Sequence, residues 1–265
     1  MKRDRRRGVY LLPSLLTIGN LLCGVYAMVA VYNGEYTRSA AAILFALILD
    51  GLDGAVARLT GSQSDFGVQL DSLADLVSFG VAPAILSYAW AIKPFSQIGW
   101  LFGSIIPTAL YVASGAFRLA RFNVQTRVLD KRYFVGLPIP AAASVIASFI
   151  LFMGESPSLV LFEYQLLPPR LTSALVVVMV YALSFLMVSR LRYRSPKGLE
   201  IRRRQPFALL IGLTLVVLVI AAQPSLLAFS FFTVYALSGV VRTIPVIQRR
   251  IPEPVEQATG GEGRP

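Results

Sequence analysis

Apolar residues run along this chain in long blocks separated by short polar or proline- and glycine-marked breaks, a pattern of membrane-crossing helices rather than alternating strands. The blocks predict helices over 9–32, 39–60, 66–91, 98–120, 138–153, 171–189, 206–222 and 225–244, the fifth being short. The breaks fall at Gly61, Pro94, Gly136 with Pro138, Pro168 with Pro169, Pro206 and Pro224, where a helix loses a donor or gains backbone freedom. The expected fold is all-α, a polytopic transmembrane bundle of about eight spans. Its parts are a basic N-terminus at 1–9, an integral membrane domain at 10–250 and a disordered tail at 251–265 rich in Pro, Gly and Glu.

Composition and charge sharpen this. The 265 residues are 55% hydrophobic and only 15% charged, with a mean hydropathy of +0.65, so lipid is part of the solvent. The net charge of +11 flanks the apolar blocks, which directs it to anionic headgroups and away from nucleic acid. With the N-terminus inside, all of the 25 lysines and arginines except Arg38, Lys93 and Arg170 fall on the cytoplasmic side. Both termini are therefore expected in the cytoplasm, with the chain in the cell inner membrane. The single cysteine, Cys23, leaves no intrachain disulfide. The absence of histidine removes imidazole bases and His-based metal sites, so catalysis must run on carboxylates.

Those carboxylates sit where they cost most. Asp50, Asp53, Arg58, Asp65, Asp71 and Asp75 crowd the second and third spans, and ionisable groups at membrane depth need a compensating role. Asp50 and Asp53 are three apart and Asp71 and Asp75 four apart, so each pair shares a helix face. Between them, Gly61 offers a helix stop and the nearby serines an N-cap. Counting about 1.5 Å per residue from that turn levels Asp53 with Asp71 and Asp50 with Asp75. Four converging carboxylates repel unless divalent cations join them, and all-oxygen donors select Mg²⁺ or Mn²⁺. Such ions would form a platform for a pyrophosphate, with Arg58 adding a fork of donors. A membrane polyprenyl transferase would also use aspartates and Mg²⁺, but on helices far apart in sequence. A transporter relay would explain intramembrane acids but not Arg58 or the matched depths.

The run Asp50-x2-Asp53-Gly54-x2-Ala57-Arg58-x8-Gly67-x3-Asp71-x3-Asp75, eight fixed positions over 26 residues, resembles the signature of the CDP-alcohol phosphatidyltransferase family. The resemblance implies two metal ions held by Asp50, Asp53, Asp71 and Asp75. It also implies a CDP-lipid pocket formed with Gly54, Ala57, Arg58 and Gly67, and Asp75 as general base. By analogy it also carries a homodimer. Four further segments look like the branch of that family that takes serine: 12–20, 118–124, 134–138 and 189–193. The implied partners are CDP-diacylglycerol, L-serine and membrane lipid. Arg118 and Arg121 are the candidates for the serine carboxylate, with Asn123 as a neutral partner, though an ordinary helix-end role explains them equally well. The aspartate signature alone leaves glycerol 3-phosphate and inositol phosphate open as acceptors.

Overall fold

A computed structural model describes residues 4–61, 64–94, 104–125, 133–157, 159–161, 164–189, 191–194 and 224–241. Its helices are α1 (Asp4–Tyr32), α2 (Tyr36–Thr60), α3 (Asp65–Ile92), α4 (Ile106–Gln125), α5 (Ile139–Met153), α6 (Pro169–Val188) and α7 (Pro224–Val241). The expected span at 206–222, the first residues (98–103) of that at 98–120, the tail at 251–265 and most of the basic run from Arg190 to Arg204 lie outside the described residues. Among the described residues, four helical stretches are long and apolar enough to cross a membrane: Ser14–Tyr32, Tyr36–Thr60, Asp65–Ile92 and Pro169–Val188. Ile139–Met153 and Ser225–Gly239 are shorter apolar helices.

The all-α expectation needs one amendment. Two short antiparallel ladders join the ends of helices: β1 (Tyr133–Val135) with β4 (Arg192–Arg194), and β2 (Leu159–Leu161) with β3 (Tyr164–Leu167). Runs of three or four residues are too brief for alternation to announce them. The first ladder sets Tyr133 opposite Arg194 and Val135 opposite Arg192, so two segments set apart by resemblance, 134–138 and 189–193, are paired in space. Gly136 continues the contact, its N–H donating to the Leu191 carbonyl at 2.8 Å. It sits at φ +84°, and a Cβ there would overlap the Met187 carbonyl oxygen, so only glycine fits.

The core centres on α5, buried along most of its length from Ile139 to Ile150 and packed against α2, α6 and α7. Small residues such as Ala40, Ala46, Ala142, Ala143 and Ala147 are fully buried, which lets backbones approach without a hydrophobic driving force from lipid. Leu15, Leu22, Phe45, Ile48 and Phe185 face outward, as helices in lipid require.

Within α3 the backbone widens to π-helix over Leu76–Val81 and again over Tyr88–Ile92. Pro83 explains the first: it has no N–H for the carbonyl four residues earlier, that of Phe79. Buried Tyr111 on α4 supplies the missing donor, its hydroxyl reaching the Phe79 carbonyl at 3.3 Å. At the opposite end from the aspartates, Glu155 crosses from the segment after α5 to cap α2. Its carboxylate accepts from the Tyr36 and Thr37 N–H groups at 2.8 and 3.1 Å and from the Thr37 hydroxyl. Burial pushes the Glu155 carboxyl up, but these donors and the nearby Arg38 charge outweigh it and hold the group below its ordinary value.

Candidate metal centre and active site

The hairpin between α2 and α3 folds as its residues dictate. Gly61 ends α2 in the left-handed conformation at φ +61°, its N–H donating to the Ala57 carbonyl. Ser64 opens α3, its hydroxyl accepting from the Gly67 N–H at 3.0 Å, and Asp65 in the first turn suits the helix dipole. Gly67 therefore serves the cap, and a Cβ on it would press on the Ser64 oxygen at 3.2 Å.

From that turn the chain reverses and brings aspartates of both arms together. Carboxylate oxygens of Asp50, Asp53 and Asp71 all lie within 4.8 Å of one another. Asp75 stands outside this tight group, near enough to Asp50 and Asp71 for their charges to interact. Asp53 and Asp75 are buried, at 6% and 8% exposure.

No ion pair among the described residues neutralises the trio, the one ion pair described there being Arg38 with Glu35 at the far end. Oδ1 of Asp71 is buried without a hydrogen-bond partner. Three convergent, all-oxygen carboxylates with no ion pair among the described residues and one orphaned acceptor fit a hard divalent cation. The donor set therefore suits the metal that the sequence pattern predicts.

Two donors inside segment 12–20, to which the sequence reading assigned no individual role, approach from α1. The Thr17 hydroxyl donates to Asp53 Oδ2 at 2.9 Å, and the Asn20 amide to Asp75 Oδ1 at 3.3 Å. They lie one turn apart, so one face of α1 grips one carboxylate on each arm of the hairpin. The available signal was a polar pair at i, i+3 inside an apolar run.

The remaining candidates separate. The Arg58 guanidinium folds back over Gly54, close enough that a Cβ on Gly54 would sit 3.2 Å from Nη1. Buried Arg118 is near enough to Asp75, Asp50 and Tyr235 of α7 to interact with each electrostatically, and it lies 5.2 Å from the Phe122 ring centre. Arg121 instead donates to the Val188 carbonyl at 3.4 Å, at the C-terminal end of α6. Asn123 donates to the Ser72 hydroxyl at 2.9 Å, beside Asp71. Ala57 contributes the carbonyl that Gly61 bonds.

Comparison with known proteins gives concordant findings. A family model described as CDP-alcohol phosphatidyltransferase matches residues 10–188. A protein from Helicobacter pylori named CDP-diacylglycerol–serine O-phosphatidyltransferase is 35% identical over 236 residues, 89% of this chain and 92% of its own length. One of the same name from Bacillus subtilis is 34% identical over 185 residues, 69% of this chain and 89% of its own. An archaetidylserine synthase from Methanothermobacter thermautotrophicus is 38% identical over 192 residues, 71% of each chain.

Proposed function

The chain belongs to the CDP-alcohol phosphatidyltransferase family, and from that premise we propose that it transfers the phosphatidyl group of CDP-diacylglycerol to L-serine, releasing CMP. The observation that carries the reading is the convergence of Asp50, Asp53 and Asp71 to within 4.8 Å, with Asp75 next to them. The names of relatives similar over most of the chain support serine as the acceptor.

In this reading Asp50, Asp53, Asp71 and Asp75 hold two ions of Mg²⁺ or Mn²⁺. When bound, these neutralise the pyrophosphate and the charge that develops on departing CMP. Arg58, lying over Gly54, adds donors to a phosphate at the cytoplasmic mouth, and the absence of side chains at Gly54 and Gly67 leaves room for the nucleotide. Arg118 receives the serine carboxylate, while Arg121 and Asn123 hold α4 against α6 and α3 at the edge of the acceptor space. The serine hydroxyl oxygen attacks the phosphorus that carries diacylglycerol, the bond from that phosphorus to the bridging oxygen breaks, and CMP leaves with that oxygen. The hydroxyl proton passes to Asp75.

Both substrates constrain the setting: the CDP head needs water and the acyl chains need bilayer. We place the site mouth and both termini in the cytoplasm, within eight spans of an inner-membrane protein, on the asymmetry of its basic residues. Residues 10–250 form the catalytic membrane domain, and a homodimer is the expected assembly. The test is CMP release from CDP-diacylglycerol by purified enzyme with Mg²⁺ or Mn²⁺ across a panel of alcohols. L-serine should be the preferred acceptor. Release with glycerol 3-phosphate or inositol phosphate, and none with L-serine, overturns the assignment.

A further inference from the structure

Asn20 is fully buried on α1, and it holds the Asp75 region at two points. Its side-chain amide donates to Asp75 Oδ1 at 3.3 Å, and its backbone carbonyl accepts from the Ser78 hydroxyl at 2.8 Å. The approach is close enough that a Cβ on Gly24, one turn further along α1, would meet the Ser78 backbone at 2.7 Å. Asp75 is the last residue before α3 widens into its first π-helical stretch, so α1 clamps the backbone where the helical register changes.

Only half of this amide is satisfied. Asn20 Oδ1 is buried with no hydrogen-bond partner while Nδ2 donates to Asp75, so the amide is used only through its donor. The residue is kept for what its Nδ2 does. An aspartate's terminal torsion is broad, so a carboxylate alone does not hold its direction. One fixed donor on Oδ1 sets the bearing of the other oxygen toward the reacting centre, and catalytic geometry tolerates little slack. We propose that Asn20 is a positioning residue for Asp75, acting through that carboxylate on acceptor deprotonation without touching either substrate. The inference rests on the assignment of Asp75 as the group that receives the serine proton.

The test compares Asn20→Leu and the smaller Asn20→Ala with native enzyme, each purified in detergent with Mg²⁺ or Mn²⁺. Thermal midpoint, CDP-diacylglycerol affinity, divalent-ion requirement, and kcat and KM for L-serine are measured. The expected result for Asn20→Leu is unchanged CDP-lipid affinity, with the midpoint lowered only by the orphaned Asp75 oxygen and the larger side chain. Its kcat should fall tenfold to a hundredfold, the scale on which partners of active carboxylates act. In an Asp75→Asn background the same substitution should cause no further fall. A lowered midpoint with parallel loss of CDP-lipid affinity in both variants makes Asn20 merely structural, and near-native kcat in either variant makes it irrelevant; both overturn the proposal. The parent reading fails separately, in the native protein, if L-serine is not used or Asp75→Asn turns over normally, and the inference falls with it.

Discussion

Asp71→Asn should stabilise the metal-free protein while abolishing turnover, the reverse of what a buried substitution ordinarily does. Asp71 shares a 4.8 Å neighbourhood with the carboxylates of Asp50 and Asp53, and its own Oδ1 has no donor. At an effective dielectric constant of about 20, two unit charges at that separation repel by roughly 3.5 kcal/mol, and Asp71 takes part in two such pairs. Solution ions damp this upper bound, so the expected gain is about 1–3 kcal/mol. The asparagine amide adds a donor that either neighbour can accept. With divalent ion present the sign reverses, because a ligand charge is gone. The assay is thermal unfolding of native and variant protein in detergent, once with chelator and once with Mg²⁺ or Mn²⁺. Native protein should gain strongly from the ion, and the variant should start about 2–4 °C higher per kcal/mol and gain little. A variant less stable than native in chelator, or one that retains the full ion-induced shift, refutes the electrostatic account of the cluster.

Other substitutions probe different parts of the fold. Gly136→Ala forces a side chain into a left-handed backbone position against the Met187 carbonyl; thermal unfolding should show a loss of about 2–4 kcal/mol. Glu155→Gln removes the charged cap on α2 and should cost only about 0.5–1 kcal/mol, since the carboxylate is exposed and screened. Because that carboxyl is held below its ordinary value near 4.5, its contribution is fully present above that value. Thermal midpoints of native and variant should therefore converge as pH falls from about 5 through the lowered value. Arg118→Ala should raise the KM for L-serine tenfold to a hundredfold, matching loss of a charge-assisted bond of about 1.5–3 kcal/mol, with CDP-lipid affinity changed much less.

The hairpin was legible because its signals are local. Gly61 and Ser64 mark its turn, and the three- and four-residue spacings place each acidic pair on one face at a calculable depth. The partners of that hairpin were less legible, since nothing local in Thr17 and Asn20 says that they meet residues 36 and 55 positions away. The π-helical turn in α3 follows from Pro83 only once Tyr111 is known to reach Phe79. Arg121 shows how an arginine near a site in sequence can be engaged by a helix end in space, with the Val188 carbonyl as its partner. The approach of Tyr235 to Arg118 depends on packing between distant helices, which apolar periodicity does not encode.

The most direct test of the central claim follows the bond that breaks. Purified enzyme with Mg²⁺ or Mn²⁺, CDP-diacylglycerol and L-serine carrying ¹⁸O in its hydroxyl should give phosphatidylserine that retains the heavy oxygen, together with unlabelled CMP. Mass analysis that finds the label joined to the cytidine phosphate, or lost to water, would contradict direct attack by serine on the phosphatidyl phosphorus.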